Sequence, residues 1–168
     1  MSRGVIDEVV EANRRVAAGV ATSLSSRPAR ALAIVVCMDA RIDPLVDFGL
    51  ARGDVHVIRN AGGRVTEDVL RSLAASWYFL DSGAVMVVHH TDCGMFTSDP
   101  DEPRRQLERM AGSDLGDVDL LAFTDEDGSV REDVDKIRSW SLTPQDTEVR
   151  GFVYDLGSGL LREVAGDT

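Results

Sequence analysis

The sequence predicts an α/β domain in which a mainly parallel sheet is flanked by helices. Short, continuous apolar runs rich in Val and Ile alternate with segments of helical periodicity, and turn residues separate them. Strands that are buried on both faces, as in parallel sheets, appear as unbroken apolar runs, whereas helices place apolar residues three or four positions apart. The order strand, crossover, strand, helix, strand is typical of an α/β fold.

The first element is a predicted helix over residues 4–24. Its apolar residues recur at spacings of three and four and form one stripe, made of Val5, Val9, Ala12, Val16 and Val20. The helix should end at the Ser-Ser-Arg-Pro sequence of residues 25–28. Because 168 residues is the size of one ordinary domain, we predict a single domain over 1–168 with a helical arm at 1–28.

Three strands and a second helix follow the arm. Apolar runs at 31–36 and 84–90 predict two strands, and the segment DVHVIRN at 54–60, after a turn around Gly53, predicts another between them. The periodicity of 65–80 predicts the helix, with one face formed by Val65, Val69, Leu73, Trp77 and Leu80. The first and third of these strands end next to residues that can do chemistry. In open parallel sheets, functional sites collect beyond the carboxyl ends of the strands.

The pattern is weaker after residue 96. We predict helices at 101–111 and 130–140 and a short strand at 120–123, between breaks that include Gly112 and Gly128. Residues 148–164 predict two strands joined by a Gly-Ser-Gly turn. The expected result is a mainly parallel four-stranded central sheet with an antiparallel edge strand or hairpin.

Charge and composition exclude several classes of protein. The chain has 18 basic and 29 acidic residues, a net charge of −11, which opposes binding to nucleic acid or to an anionic membrane surface. No apolar run of about 18 residues is present, and Asp7 and Glu8 interrupt the start, so we predict no membrane span and no signal peptide. These features predict a cytoplasmic protein.

Two motifs at strand ends indicate a metal centre. Cys37-x-Asp39-x-Arg41 follows the first predicted strand, and His90-x-x-Cys93 ends the third. Thiolates and imidazoles are preferred ligands of zinc, and two thiolates with one imidazole leave a fourth position free for water, as in catalytic sites. The motifs together therefore predict a catalytic zinc ion, with Asp39 and Arg41 controlling the fourth position.

Each motif also has a simpler interpretation. A buried cysteine is often only a small apolar residue, Cys37 and Cys93 could form a redox disulfide although no C-x-x-C is present, and Asp39 with Arg41 could be a solvated ion pair. A zinc-storage or zinc-sensing module would use the same ligands without turnover. Strand alternation points His89 away from His90, so His89 is predicted to be a packing residue, as is His56.

The motifs resemble those of the β-class carbonic anhydrases, in particular the short bacterial members. The resemblance lies in CMDARIDP (37–44), IRNAGG (58–63) and HHTDCGM (89–95). It covers residues 30–96 well, the tail moderately and 98–146 poorly.

The resemblance implies a zinc lyase that converts CO2 reversibly to bicarbonate and a proton through zinc-bound hydroxide. It places the zinc ligands at Cys37, His90 and Cys93, and a catalytic dyad at Asp39 and Arg41, with Asp39 as a fourth ligand in a closed form. We further expect backbone amides at Gly62 or Gly94 to bind product oxygens. The family implies a homodimer or homotetramer in which the N-terminal helix embraces the partner. Related enzymes with the same ligands act on COS or CS2, which is the alternative function.

Overall fold

A single five-stranded sheet organises residues 4–20 and 23–164, which are the residues that the computed structural model describes. The strands lie in the order β2-β1-β3-β4-β5, and the first four are parallel whereas β5 runs antiparallel to β4. In chain order they are β1 (Leu32–Cys37), β2 (Val55–Asn60), β3 (Ala84–His90), β4 (Glu148–Asp155) and β5 (Leu160–Val164). The predicted parallel sheet with an antiparallel edge is confirmed.

Five α-helices connect or flank these strands within the described residues. They are α1 (Val5–Val16), α2 (Pro44–Asp47), α3 (Glu67–Leu80), α4 (Glu102–Ala111) and α5 (Glu126–Ser139), with 3-10 turns at Ala17–Gly19 and Ala61–Gly63. The first helix is shorter than predicted, because α1 ends at Val16 and residues 21–22 lie outside the described part. The α2 turn was not predicted; Asp43 caps it, accepting hydrogen bonds from the backbone amides of Leu45 and Val46.

Each face of the sheet bears a hydrophobic cluster, which accounts for the continuous apolar runs of β1 and β3. On one face α3 and α5 cover alternate strand residues, and the cluster includes Ala33, Val35, Val87, Leu73 and Ile137. On the other face the residues between them, among them Ile34, Val36 and Val88, pack with Ile42 and Phe48 from the loop after β1. Alternation thus sends successive β1 side chains to opposite cores.

Two glycines allow the close packing that shapes the carboxyl edge of the sheet and its helical cover. A Cβ at Gly63, whose φ is +68°, would lie 2.9 Å from the Cys37 nitrogen and 3.0 Å from the Val88 carbonyl oxygen. A Cβ at Gly151 would lie 2.4 Å from Val130 Cγ1, so this glycine lets α5 approach β4. Gly63 therefore seats the loop after β2 directly against the ends of β1 and β3.

Two predictions in the poorly patterned region were wrong. Residues 120–123 do not form a strand; a single parallel bridge joins Phe96 to Phe123, and Leu121 has a φ of +52°, which cannot continue an extended strand. Helix α5 begins at Glu126 rather than at 130. Asp125 caps it by accepting a hydrogen bond from the Gly128 amide, so Gly128 lies in the first turn instead of breaking the helix.

Helices in the described residues are all too short or too polar to cross a membrane.

Candidate metal centre

The candidate centre forms where β1 and β3 end side by side. The two strands are parallel neighbours, with Val36 opposite Val88, so their carboxyl ends meet at one edge of the sheet. Cys37 is the last residue of β1, His90 is the last of β3, and Cys93 follows in the next turn. The two sulfurs and a ring nitrogen lie within 4.8 Å of one another, and all three residues are buried. The fold thus brings the three predicted ligands together.

The imidazole of His90 is oriented as a metal ligand would be. Its Nδ1 lies 2.9 Å from the carbonyl oxygen of Thr91, which requires the proton on Nδ1 and leaves the Nε2 lone pair free. Nε2 is buried and has no nitrogen or oxygen partner at hydrogen-bond distance among the described residues, and the Cys37 sulfur is the polar group that it faces. Since buried polar atoms are nearly always paired, this orphaned nitrogen fits a cation that two sulfurs share.

The surroundings of the two thiols favour one anionic sulfur. The hydrogen bond with the Cys93 thiol, against the opposing effect of burial, lowers the pKa of Cys37 far below the ordinary thiol value. The His90 ring and the backbone amides of Asp39 and Gly62 lower the pKa of Cys37 as well. The shared hydrogen bond and burial raise the pKa of Cys93. A divalent cation would supply the charge needed to ionise the second sulfur as well.

Asp39 and Arg41 form a bidentate ion pair at the opening of the centre. Arg41 Nε and Nη2 donate to Asp39 Oδ1 and Oδ2 at 3.0 and 2.7 Å, and the Arg41 backbone amide donates to Oδ1 at 2.9 Å. These bonds hold the pKa of Asp39 well below its usual range. Asp39 Oδ2 lies 3.9 Å from His90 Nε2, so an ionised hydrogen-bond acceptor stands beside the candidate metal position.

Arg41 has a second acidic partner that the sequence analysis did not identify. Its Nη1 donates to Asp92 Oδ2 at 2.6 Å, and its Nη2 donates to the Asp92 carbonyl oxygen at 3.0 Å. Asp92 lies in the turn between His90 and Cys93 and has a φ of +57°. An aspartate in that turn was the available sequence signal, but nothing in the pattern shows which arginine it faces.

A buried ionic network lies behind the centre, on the α5 side of the sheet. His89 faces this side, as predicted, and its Nε2 lies 3.1 Å from Asp133 Oδ2 while its Nδ1 lies 3.0 Å from the Ser129 hydroxyl. Arg64 Nε donates to the same Asp133 oxygen at 2.8 Å. The ring of Phe123 packs beside His89 and under Arg64, and it also belongs to the apolar cluster of the two cysteines. The network therefore supports the ligand-bearing strand from behind.

The other positions named from the sequence lie at different distances from this centre. Gly62 is buried, with a φ of +77° in the Ala61–Gly63 turn, and its amide hydrogen-bonds Cys37; Gly94 is exposed. Arg59 donates to the carbonyl oxygens of Cys37 and Asp39 at 3.0 and 2.7 Å and so holds the end of β1 in place. His56 contacts the Ser76 hydroxyl at 2.7 Å, away from the centre, in agreement with its predicted structural role.

Comparison with known proteins identifies the family. Residues 32–113 match the family model described as carbonic anhydrase. The chain is 38% identical over 160 residues to β-carbonic anhydrase 1 of Mycobacterium tuberculosis, covering 95% of this chain and 98% of the relative. It is 30% identical over 158 residues to a carbon disulfide hydrolase of Acidithiobacillus thiooxidans, covering 79% of this chain and 72% of that protein.

A solved structure supports the same assignment. The carbonic anhydrase of Streptococcus mutans superimposes with a TM-score of 0.90 at 42% identity, over 98% of this chain and all of the other. Agreement in both sequence and fold extends through the region after residue 98, where the motifs had been uninformative. The chain belongs to the β-carbonic anhydrase family.

Proposed function

We propose that this protein catalyses the reversible hydration of CO2 to bicarbonate and a proton, with a zinc ion bound by Cys37, His90 and Cys93. The observation that carries the proposal is the meeting of these three donor atoms, within 4.8 Å of one another, beside the Asp39–Arg41 pair. Two sulfurs and a nitrogen with a free lone pair are a donor set that zinc prefers. Membership of the family supports CO2 as the substrate.

The bound zinc would act as a Lewis acid that lowers the pKa of water to about 7 and so makes a nucleophile available at neutral pH. The protein side chains then control geometry. Because Arg41 keeps Asp39 ionised, the Asp39 carboxylate can only accept hydrogen bonds, and it accepts one from the attacking oxygen. This contact directs a lone pair of that oxygen toward the carbon of CO2.

The apolar residues at the centre suit a nonpolar substrate. Met95 and Phe123 pack against the two ligand cysteines, and a Cβ at Gly62 would lie 3.4 Å from Met95 Cβ. We propose that CO2 approaches along this apolar side and that, of the two predicted amides, the one at Gly94 binds the product oxygens, because the Gly62 amide already donates to Cys37. As negative charge develops on these oxygens during attack, amide donors would stabilise it.

Stopped-flow CO2 hydration tests the proposal. Zinc-loaded protein should turn over at pH 7 and faster at pH 8.5, whereas Asp39→Asn should retain zinc and lose most turnover, since an amide also donates hydrogen bonds and cannot orient the nucleophile in the same way. Zinc content by elemental analysis should be one per chain for both proteins. A zinc-loaded wild-type protein without turnover would contradict the proposal and favour a zinc-binding module.

Carbon disulfide is the substrate to compare in the same experiment. Relatives named carbon disulfide hydrolases align with less of this chain than the mycobacterial carbonic anhydrase does: two cover 79% of it at 28% and 30% identity, and one is 43% identical but covers only 42% of it. Sulfide release from CS2 should therefore be slow relative to CO2 hydration. Faster CS2 turnover would assign the protein to the hydrolases instead.

We propose that the protein is a homodimer or a homotetramer, in which residues 1–28 serve as an arm on the single domain 1–168. Helix α1 buries no residue in the described chain, and its apolar stripe is exposed, with Val5 at 72% and Val9 at 64%. The sheet face opposite α3 and α5 is only partly covered, since Leu32, Met86 and Phe152 border a surface pocket of about 230 Å³. An apolar helix and an apolar sheet face complement each other across two copies.

Light scattering on the purified protein tests whether the apolar stripe of α1 joins two chains. Valine-to-aspartate changes at Val5 and Val9 should shift the mass to that of one chain, because carboxylates cannot be buried at an apolar contact. Arg14→Glu, about half a helical turn away from the stripe, is the control and should leave the mass unchanged. A wild-type protein with the mass of one chain would contradict the proposal.

We propose a cytoplasmic location. The centre needs both cysteines as free thiols, and both are free and buried in the structure. A reducing compartment preserves such thiols. Cell fractionation with an antibody against the protein tests this proposal directly.

A further inference from the structure

The Arg41 guanidinium donates hydrogen bonds to two aspartates, Asp39 and Asp92. Nε and Nη2 donate to the Asp39 carboxylate at 3.0 and 2.7 Å. The adjacent edge, which shares Nη2, faces the turn after β3, where Nη1 donates to Asp92 Oδ2 at 2.6 Å and Nη2 donates to the Asp92 carbonyl oxygen at 3.0 Å. Because a guanidinium is planar and rigid, contacts along two edges determine the orientation of its plane.

The backbone of Asp92 suits this contact. Its φ of +57° lies in the left-handed region, which aspartate and asparagine adopt more readily than most other residues. In this conformation one residue presents both its carboxylate and its carbonyl oxygen to Arg41. The contact joins the tips of β1 and β3 through residues 51 positions apart in the chain.

Both side chains of this contact are exposed, so the contact should contribute little to the stability of the fold. The Asp92 side chain is 80% exposed and that of Arg41 is 51% exposed. Exposed ion pairs contribute little to the free energy of unfolding because water screens them. An effect of Asp92 on the protein should therefore concern the orientation of Arg41 rather than the stability of the fold.

We propose that Asp92 is a positioning residue that holds Arg41 in the plane from which Arg41 orients Asp39. The inference rests on the proposed function, in which Asp39 accepts a hydrogen bond from the attacking oxygen. Without the Asp92 carboxylate, the guanidinium keeps one carboxylate partner and can turn about its exposed side-chain bonds. The orientation of Asp39 depends on Arg41. Asp39 therefore spends less time in the geometry in which it accepts a hydrogen bond from the attacking oxygen, and kcat falls.

Asp92→Asn tests the proposal with little disturbance of the turn. Asparagine keeps the left-handed backbone and the carbonyl oxygen but removes the carboxylate charge. We expect kcat for CO2 hydration to fall about threefold to tenfold, with zinc content and the urea midpoint unchanged. Asp81→Asn is the matched control: Asp81 has a φ of +58° and pairs with an exposed arginine, Arg27, away from the centre. The control should have wild-type kcat.

A double-mutant cycle shows whether Asp92 acts through Arg41. Once Arg41→Ala has removed the guanidinium, adding Asp92→Asn should not lower kcat further. A second measurement is independent of turnover: the NMR signal of the Arg41 Nε–H group in the zinc-loaded protein, assigned by its loss in Arg41→Lys. Asp92→Asn should shift this signal and speed its exchange with solvent, and Asp81→Asn should not.

The possible outcomes distinguish this inference from the proposed function. An active wild-type protein together with an unchanged kcat in Asp92→Asn would overturn the role of Asp92 and leave the function intact. Fully additive losses in the cycle would also overturn it, since Asp92 would then act without Arg41. If the wild-type protein fails to hydrate CO2, the proposed function fails, and the Arg41 signal alone decides whether Asp92 holds the guanidinium.

Discussion

At the residue scale, the centre depends on polar groups whose partners are supplied by distant parts of the chain. Cys37, His90 and Cys93 provide donor atoms, but the orientation of His90 comes from a backbone carbonyl and that of Asp39 comes from Arg41. Behind them, Asp133 accepts hydrogen bonds from Arg64 and contacts His89 in surroundings that are almost free of water. Each of these partners fixes the orientation of the residue it contacts or compensates its charge.

Replacing Asp133 by alanine should destabilise the protein strongly. Arg64 and Asp133 have only 5% and 2% of their side-chain surface exposed, so the change leaves a buried guanidinium with less compensation. We expect the free energy of unfolding in urea to fall by about 3–5 kcal/mol. Asp127→Ala is the control on the same helix, because its pair with Arg162 is partly exposed and should contribute about 0–1 kcal/mol. Equal losses in the two variants would contradict a special role for the buried network.

Replacing Cys37 by serine should abolish tight zinc binding. A hydroxyl is a poor ligand at neutral pH, whereas the pKa of the Cys37 thiol is already lowered by its hydrogen bonds. Competition with a chromophoric chelator should give a dissociation constant weaker by at least about a hundredfold. Retention of wild-type affinity would remove Cys37 from the ligand set.

At the element scale, the loop after β2 packs directly against the ends of β1 and β3, where there is no room for a side chain. Gly63 provides this access, because its Cβ position is occupied by backbone atoms of Cys37 and the Val88 carbonyl. Helix α5 reaches β4 in a comparable way over Gly151. These close contacts bring Gly62 beside Cys37 and Asp133 beside His89.

Gly63→Ala should displace the loop from the centre. Backbone atoms at 2.9 to 3.1 Å cannot move aside cheaply, so zinc affinity should fall together with the melting temperature. Gly112→Ala is the matched control: its φ is +64°, close to that of Gly63, but a Cβ there meets no atom within 4 Å. In the control, the free energy of unfolding should fall by only about 1 kcal/mol, which is the cost of a left-handed backbone at alanine. Zinc affinity that falls equally in both variants would contradict the steric explanation.

At the scale of the whole molecule, arginine–carboxylate pairs make stability depend on pH. Arginine partners lower the pKa values of several surface carboxyl groups, namely Asp99, Glu102, Asp127 and Glu163. A carboxyl group with a lower pKa in the folded state stabilises the fold above its unfolded value, about 3.9 to 4.3, and loses this effect as the pH falls. Burial raises the pKa of Glu126, which acts in the opposite sense.

The urea midpoint should therefore fall between pH 5 and pH 3, by an amount that depends on these pairs. A variant with Asp127→Asn and Glu163→Gln should show a smaller fall than the wild-type protein, because two of the lowered pKa values are absent. Loss of zinc on acidification affects both proteins and cancels in the comparison. Identical falls would show that the surface pairs do not contribute, as happens where water and salt fully screen them.

Local patterns in the sequence predicted much of the fold and the ligand set. Strand β1 and the first five residues of β3 are continuous apolar runs, β2 is a short Val- and Ile-containing segment after a turn, and helix α3 has a regular apolar face, so these elements can be identified in short windows of sequence. The ligands follow two of these strands directly, which places them at one edge once the sheet is parallel. Region 98–146 could not be predicted as well, because the start of α5 depends on the cap at Asp125 and the path of 120–123 depends on a left-handed residue at Leu121.

The sequence alone thus determined the class of fold, the strands and the chemical identity of the metal donors, because these depend on periodicity and on residue type. Only the tertiary structure decided which groups orient and support those donor atoms. Arg41 meets Asp92 across 51 positions, and Arg64 meets Asp133 across 69. Such pairings follow from strand order and from the docking of α5 on the sheet, and neither of these is encoded in any short segment of the chain.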